Sequence, residues 1–580
     1  MAISLGRYLL ALDGSALPRR ELIGGKAWSV ARMLSLGLPV PPAVVITTAA
    51  CCAYLDTGSV PAELAAEIDG AITWLEEATA RQFGGAKPLL VSVRSGAAVS
   101  MPGMMDTVLN LGINDATEAA LAAEAGNPTF ARDTHRRFLE LYASIVLKAT
   151  LADTSHHDPA ALRAEIAAQG EAVPAAPRAQ LLAAVNAVFD SWNSRRARRY
   201  RQHHGIADSL GTAVTVQAMV FGNLDARSGT GVLFSRNPLT GERAPYGEYL
   251  HRAQGEDVVS GKFTPEPLSA LAASAPAVHA QLLQAAATLE QENADVQDIE
   301  FTVQHGVLYL LQARAAKRAP QAAVRFAVDM VDEGRIDTTT ALSRVQAGQI
   351  RTLLKPRLAD GATDGATVLA HGEPACQGVG SGVVVSNSDS AEQRAAAGEA
   401  VVLARATTSP EDVHGMIAAH AVITEQGGAT SHAAVVSRAL GVPCVVGCGA
   451  GTLAALAGAL VTVDANSGHI YAGLLSVVTP DESADLRLAK LTAWAVAASP
   501  INVIREDDPA AASAFDLGAI EGGEDPARLP AMLVDKTCVR GGAIESDAGV
   551  AAALAAGVTT IVARHPLPVL LAAIHGQLGR

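Results

Sequence analysis

The sequence has 580 residues, which predicts three or four domains at roughly 100–200 residues each. Hydrophobic residues make up 49% and charged residues 18%, so the chain is too apolar to be disordered and can bury sizeable cores. The formal net charge of −14 argues against a nucleic-acid-binding protein, because such proteins present a basic surface.

Cysteines and apolar segments indicate a cytoplasmic protein that is neither secreted nor embedded in a membrane. The six cysteines are sparse and lack paired zinc-binding spacing, so we expect free thiols in a reducing compartment. The short apolar start of the chain is followed by Asp13, unlike a signal peptide. The uncharged stretch 439–463 is broken by Pro443 and several glycines, which predicts strand, turn and helix in a soluble core.

Two segments near the start of the chain are candidate phosphate-binding elements. Gly24-Gly25-Lys26 opens a predicted helix, and a glycine turn followed by a lysine suits a polyphosphate. Arg94 ends a predicted strand and can hold phosphate oxygens bidentately. The Met-rich segment 101–112 places Gly103 in a loop whose N–H groups would cover the phosphates. An ordinary surface turn and an ordinary hydrophobic loop are the alternatives.

Residues 298–303 and 307–314 predict a β-hairpin with its turn at 304–306. Alternation places Asp298 and Glu300 on one face, and Gln312 and Arg314 on one face of the returning strand. These side chains predict a site for magnesium and phosphate, in which Glu300 and Gln312 would hold the Mg²⁺. The alternative is a cross-strand salt bridge on a solvated sheet.

Chain organisation follows from composition and periodicity. Helical spacing predicts helices over 321–333 and 338–354, and a Gly-, Ala- and Asp-rich segment then extends to residue 373. Residues 383–473 combine short apolar strands with Gly and Asp turns, which predicts a compact αβ domain. We therefore predict an α/β multidomain protein with boundaries at 1–345, a helical or flexible linker at 346–372, 373–480 and 481–580.

His432 is the sharpest candidate for a catalytic residue. A strand over 421–424 leads into Gly427 and Gly428, whose small size lets a phosphate approach, and Thr430 or Ser431 can cap the helix that follows. His432 then lies in the first turn, where free N–H groups favour an anion and the neutral imidazole is a nucleophile. A capping or core histidine is the alternative.

These segments resemble the pyruvate, phosphate dikinase and phosphoenolpyruvate synthase family over about residues 15–515. The segment Gly427 to Arg438 resembles the phosphohistidine motif of that family, and the Met-rich segment 101–112 resembles the dikinase. The resemblance implies an ATP-grasp nucleotide-binding domain, a swivelling phosphohistidine domain and a homodimer. It also implies that residues within 217–237 help to hold the adenine and phosphates of ATP, with Gln217, Met219 and Thr230 as candidates.

The resemblance ends in the last hundred residues. Family dikinases carry a pyruvate-binding (β/α)8 barrel, which needs about 250 residues. Segment 494–519 resembles the start of such a barrel, but the family's Cys-Arg-Thr-Glu segment has no counterpart after Ala519. We therefore expect a truncated, barrel-like α/β remnant at 481–580.

The leading functional prediction is a phosphotransferase in which ATP, with phosphate, phosphorylates His432 and releases AMP and pyrophosphate. The phosphoryl acceptor is unidentified and would be bound by the C-terminal domain or by a partner. One alternative is pyruvate, phosphate dikinase proper, with the barrel supplied by another chain. Another is a non-catalytic ATP-binding regulator that signals through the state of His432.

Overall fold

The computed structural model describes residues 3–578 apart from 100, 102–106, 152–157, 260–262, 355–356, 360, 479 and 524. The chain forms an N-terminal unit (3–319), connecting helices (320–353), a middle unit (368–473) and a C-terminal unit (480–578). The α/β multidomain class predicted from the sequence is confirmed. None of the described helices combines the length and apolarity needed to cross a bilayer.

The N-terminal unit contains two five-stranded antiparallel sheets. Apolar alternation and full burial, as in the AVTVQA segment of 213–218, explain why these segments form interior strands. The first sheet consists of β1 (Leu9–Leu12), β2 (Ala43–Ile46), β3 (Val91–Gly96), β4 (Thr107–Leu111) and β5 (Ala213–Ala218), and the second of β6 (Gly229–Phe234), β7 (Tyr246–His251), β8 (Glu266–Pro267), β9 (Gln297–Gln304) and β10 (Val307–Ala315).

The sheet orders are β1-β2-β5-β3-β4 and β10-β9-β6-β7-β8. Helices cover both sheets, and local sequence sets their ends: Asn114 forms a capping box with Thr117, and Gly126 ends that helix in a left-handed conformation. The helices are α1 (Arg20–Ser35), α2 (Thr48–Thr57), α3 (Ala62–Thr79), α4 (Asp115–Ala125), α5 (Pro128–Tyr142), α6 (Pro159–Ala168), α7 (Pro177–Ser191), α8 (Arg195–His203), α9 (Gly255–Val259), α10 (Ser269–Ser274) and α11 (Pro276–Asn293).

Three connecting helices follow: α12 (Pro320–Asp332), α13 (Thr338–Arg344) and α14 (Ala347–Leu353). The helix predicted over 321–333 is confirmed, whereas the one predicted over 338–354 is interrupted near Val345, which has extended backbone angles. A short strand β11 (Arg357–Leu358) leads into the middle unit.

The middle unit is an eight-stranded mixed sheet with helices on its surface. Its sheet begins at residue 368, so the segment 368–372 belongs to this unit and not to a linker. The elements are β12 (Val368–His371), β13 (Glu373–Cys376), β14 (Val379–Val385), α15 (Ser388–Ala396), β15 (Val401–Arg405), α16 (Val413–Ala418), β16 (Ala421–Thr424), α17 (His432–Leu440), β17 (Cys444–Val446), α18 (Thr452–Leu456), β18 (Leu460–Asp464) and β19 (His469–Ala472). Strand β20 (Val477–Val478) leaves the unit and pairs antiparallel with β11.

The C-terminal unit is a small parallel sheet flanked by helices, and it shares a hydrophobic core with α12, α13 and α14. Its elements are α19 (Leu486–Ala498), β21 (Asn502–Ile504), β22 (Phe515–Asp516), α20 (Leu529–Met532), β23 (Cys538–Arg540), α21 (Asp547–Ala556), β24 (Thr560–Val562) and α22 (Pro566–Leu578). The strand order β21-β24-β23-β22 differs from a (β/α)8 barrel, in which successive strands are neighbours.

Candidate active site

A cavity of about 710 Å³ lies between the N-terminal unit and the middle unit. That volume is within the range of roughly 300–1,000 Å³ typical of small-molecule sites. The N-terminal unit contributes residues from α1, β3, β9 and β10, and the middle unit contributes segment 408–410, Thr430 and His432. The structure thus brings seven candidate residues from distant parts of the sequence to one cavity: Lys26, Arg94, Glu300, Gln312, Arg314, Thr430 and His432.

A kink in α1 presents Lys26 to the cavity. Gly24 has a left-handed φ of 73°, and a Cβ there would lie 1.9 Å from the carbonyl oxygen of Gly96, so only glycine fits. The Gly25 N–H donates to the carbonyl of Ala97 at 2.8 Å, which ties the turn to the end of β3. Burial, reinforced by the neighbouring Arg94, lowers the pKa of Lys26 to about 7.

The predicted hairpin is confirmed, and its register places Glu300 opposite Gln312. Nη2 of Arg94 donates to Oε2 of Glu300 at 3.3 Å and to Oε1 of Gln312 at 3.1 Å. Both oxygens therefore converge on a single cationic group. Carboxylate and amide oxygens are ligands that suit Mg²⁺, so the donor chemistry fits the expected metal.

Arg314 lines the cavity beside this pair and is held by Asp298, with 2.8 Å between Nε and a carboxylate oxygen. Asp298 is almost fully buried, and it is the main reason why the pKa of Arg314 is raised. A charged guanidinium is thus held beside Glu300 and Gln312, which suits the binding of phosphate oxygens.

His432 begins α17, as the sequence predicts, after the loop 427–431 (the histidine loop). The hydroxyl of Ser431 accepts from the Ala434 N–H at 3.5 Å and caps the helix. Behind the loop, Nη1 of Arg438 donates to the carbonyl of Ala429 at 2.8 Å and to that of Ala375 at 3.1 Å. The imidazole is therefore carried on a braced turn that faces the cavity.

Thr408 orients the imidazole, a contact that the sequence analysis did not predict. Its Oγ1 lies 3.1 Å from Nδ1 of His432. Nε2 of His432 is buried and has no hydrogen-bond partner in the described part of the chain. Burial lowers the pKa of His432 and so favours the neutral ring. When Nδ1–H donates to Thr408, Nε2 keeps a lone pair available as a nucleophile.

Glu248 joins the two units at the histidine loop. Its carboxylate accepts hydrogen bonds from the Thr430 hydroxyl and the backbone N–H of Ala429. A Cβ on Gly428 would lie 2.7 Å from Oε1 of Glu248, so this close approach requires glycine. Next to it, the Tyr246 hydroxyl donates to Glu373 at 3.0 Å. Sequence analysis did not pair Glu248 with the loop, because the two are 182 residues from each other.

Among the described candidates for nucleotide binding, Gln217, Met219, Thr230 and Asp298 do not line the cavity, and Asp298 acts there through its ion pair with Arg314. Gln217 and Thr230 are buried, with the Gln217 amide donating to the Pro41 carbonyl at 3.2 Å and the Thr230 hydroxyl to that of Phe301 at 3.0 Å. Met219 packs against the core beside the first sheet. Gly103 lies outside the described residues. Their contribution to nucleotide binding stays a prediction.

Comparison with known proteins identifies two similar domain families and several similar relatives. Residues 55–281 match the family model "Pyruvate phosphate dikinase, AMP/ATP-binding domain", and residues 397–468 match "PEP-utilising enzyme, mobile domain". Pyruvate, phosphate dikinase of Clostridium symbiosum is 41% identical over 530 residues, covering 85% of this chain and 60% of the relative. The Rhizobium meliloti protein of that name is 41% identical over 541 residues, with the same shares. Pyruvate, phosphate dikinase 2 of Zea mays is 46% identical over 455 residues, or 74% of this chain and 51% of the relative.

A nucleotide-binding domain joined to a mobile domain that carries a cavity-facing histidine is the arrangement of the class of proteins that these two family models describe. Within that class, the chain carries the AMP/ATP-binding and mobile domains of the pyruvate, phosphate dikinase family, and the resemblance drawn from the motifs is confirmed. The chain spans about 60% of the length of the first two relatives.

Proposed function

We propose that this chain is a dikinase-type phosphotransferase in which ATP, together with phosphate, phosphorylates His432. One observation carries the proposal: the unpartnered Nε2 of His432 belongs to a ring that lines the same cavity as Lys26, Arg94 and Arg314. A nucleophile with cationic side chains around it is what attack on a polyphosphate requires.

The proposed products fix which bonds change. Release of AMP means that Nε2 attacks the β-phosphorus and the bond from that phosphorus to the α–β bridging oxygen breaks. A phosphate oxygen then attacks the terminal phosphorus, and its bond to the β–γ bridging oxygen breaks. That oxygen stays with the β-phosphorus on His432, and pyrophosphate forms from phosphate and the terminal phosphoryl group. Each phosphorus of ATP is accounted for, and no water is consumed.

The protein's residues bind and orient the nucleotide in this scheme. Lys26, Arg94 and Arg314 hold the phosphates, and Thr408 keeps Nε2 directed at the reacting phosphorus. Mg²⁺ held by Glu300 and Gln312 would supply charge neutralisation at the phosphate oxygens.

The test uses ATP labelled at the β or the γ phosphorus. We expect β label on the protein in acid-labile form, while γ label leaves as pyrophosphate when phosphate is present. His432→Ala should abolish labelling. His414→Ala is the matched control, because His414 belongs to the same unit but bonds to Asp389 at 2.9 Å instead of lining the cavity. A chain that binds ATP and takes no label would be the non-catalytic regulator.

The acceptor of the phosphoryl group is a separate question. The names of the relatives give pyruvate as a substrate, so pyruvate is the first acceptor to add to labelled protein. Formation of phosphoenolpyruvate would assign the complete dikinase reaction to this chain. Label that stays on His432 with pyruvate, and leaves with another small molecule or protein, would support a different acceptor bound by the C-terminal unit or by a partner.

A further inference from the structure

Among the described residues, two basic side chains at the cavity form no ion pair, Lys26 and Arg20, and of these two Arg20 is the exposed one. The arginines there include Arg32, Arg94, Arg314 and Arg344, each of which lies within 4 Å of a carboxylate: Glu292, Glu300, Asp298 and Asp295, respectively. Arg20 also lines the cavity, yet among the described residues it forms neither an ion pair nor a side-chain hydrogen bond. Its guanidinium lies over the ring of Trp28, 5.9 Å from the centroid.

The kink of α1 places this free charge next to the phosphate-binding turn. A Cβ on Gly25 would lie 3.3 Å from Nη2 of Arg20 and 3.4 Å from the Ala97 carbonyl oxygen, so the guanidinium covers the turn that carries Lys26. Arg20 itself is exposed, and its charge is therefore accessible to a ligand that enters from solvent. A planar guanidinium can donate two parallel hydrogen bonds to a phosphate.

The proposed reaction needs two anions in the cavity at once. Lys26, Arg94 and Arg314 are available for the nucleotide phosphates, and the carboxylates of Glu300 and Asp298 already offset part of their charge. A second anion requires a further cation close to the end of the polyphosphate. Lys26 and Arg20 are the cations of the described cavity that form no ion pair, and because Lys26 belongs to the nucleotide phosphates, Arg20 is the one left for a second anion.

We propose that Arg20 binds the inorganic phosphate that accepts the terminal phosphoryl group. This inference rests on the proposed function and specifies how its second substrate is held. Two N–H groups of Arg20 hold two phosphate oxygens, which leaves a third oxygen to attack the terminal phosphorus. The bond from that phosphorus to the β–γ bridging oxygen breaks. Arg20 then contacts the pyrophosphate that has formed until this product dissociates.

The test compares Arg20→Gln with Arg19→Gln, since Arg19 is the exposed neighbour that does not line the cavity. Formation of pyrophosphate that carries the γ label is measured against phosphate at saturating Mg-ATP, and against Mg-ATP at saturating phosphate. We expect Arg20→Gln to raise KM for phosphate by about tenfold to a hundredfold, the cost of a lost charge-assisted hydrogen bond. KM for ATP should stay within about twofold, because the triphosphate contacts are untouched. Arg20→Lys should restore part of the phosphate affinity, and Arg19→Gln should behave as the wild type.

Two results would overturn the assignment while leaving the proposed function in place. An unchanged KM for phosphate in Arg20→Gln and Arg20→Lys would mean that Arg20 only packs on Trp28. Equal rises in both KM values would place Arg20 on the nucleotide. A different result separates the two proposals: wild-type protein that releases the γ label at a rate independent of phosphate would overturn the use of phosphate itself, and the role of Arg20 with it.

Discussion

The contact between Thr408 and His432 decides which imidazole nitrogen is free to react. Thr408→Val keeps the shape of the side chain but removes the hydroxyl that lies 3.1 Å from Nδ1. We expect β-label transfer from ATP to slow by about two- to tenfold, the cost of one lost neutral hydrogen bond. Thr408→Ser should restore the rate, and Thr407→Val should leave it unchanged, because Thr407 does not line the cavity. Equal effects of both valine substitutions would contradict a role in orienting the ring.

Lys26 makes nucleotide binding dependent on pH. Its pKa of about 7 means that the free site loses this positive charge as pH rises above neutrality. ATP phosphates favour the protonated amine, so the apparent Kd should be constant below pH 7 and then rise, by at most about tenfold per pH unit. Calorimetry at pH 8 in two buffers of different ionisation enthalpy should show proton uptake on binding, and Lys26→Arg should abolish it. Binding by the wild type that is unchanged from pH 6 to 9 would show that Lys26 is charged throughout.

At the scale of elements, sequence patterns predicted those parts of the site that lie within one short segment of the chain. The alternation in 298–314 gave the facing pair Glu300 and Gln312, because a hairpin fixes its own register. The glycine turn, cap and helix around His432 are likewise local. Thr408 and Glu248 act across 24 and 182 residues, respectively, so no periodicity or motif spacing indicates their contacts with the histidine loop.

Local sequence patterns also do not predict the strand order of the C-terminal unit. The α/β remnant predicted at 481–580 ends with the strand β24 followed by the helix α22. Alternating strands and helices suit both a barrel and an open sheet. The pairing of β24 with β21 depends on long-range packing, including the core shared with α12 to α14. The sequence therefore indicates the elements of this unit but not their arrangement.

Gly24 forms the kink in α1, and two glycine substitutions can test whether the close contact there requires glycine. Gly24→Ala introduces a methyl group into a left-handed position that also lies against the Gly96 carbonyl. Gly37→Ala is the matched control, since φ there is 71° and a Cβ would meet nothing within 4 Å. We expect the control to cost about 1 kcal/mol of backbone strain, and Gly24→Ala to cost about 1–3 kcal/mol more from the clash. Equal shifts of the apparent unfolding midpoint in urea would contradict the close contact.

At the scale of the whole molecule, the middle unit is connected in a way that suits movement. The chain enters the middle unit through β11 and leaves it through β20, and these two strands pair as a two-stranded antiparallel sheet. Its hydrophobic clusters consist of its own residues, whereas the C-terminal unit shares its core with α12 to α14. The contacts of Glu248 and Tyr246 with the middle unit are polar, and polar contacts can separate without exposing apolar surface.

Glu248 should therefore control how often His432 occupies the cavity. Glu248→Ala leaves the Thr430 hydroxyl and the Ala429 N–H without their acceptor, which costs about 1–3 kcal/mol for each buried group. We expect β-label transfer to His432 to fall by about tenfold or more, with an unchanged Kd for ATP, because Glu248 does not line the cavity. Small-angle X-ray scattering should show a larger radius of gyration as the middle unit moves away from the N-terminal unit.

Matched variants separate docking from general damage to the fold. Glu248→Gln keeps an acceptor oxygen for Thr430 and should retain most of the transfer rate. Glu266→Ala removes an exposed carboxylate from the neighbouring strand β8 and should match the wild type in every measurement. If Glu248→Ala weakens ATP binding as much as it slows transfer, the side chain supports the nucleotide site instead. If transfer is unaffected, the contact with Thr430 does not limit docking, because His432 reaches the nucleotide equally well without it.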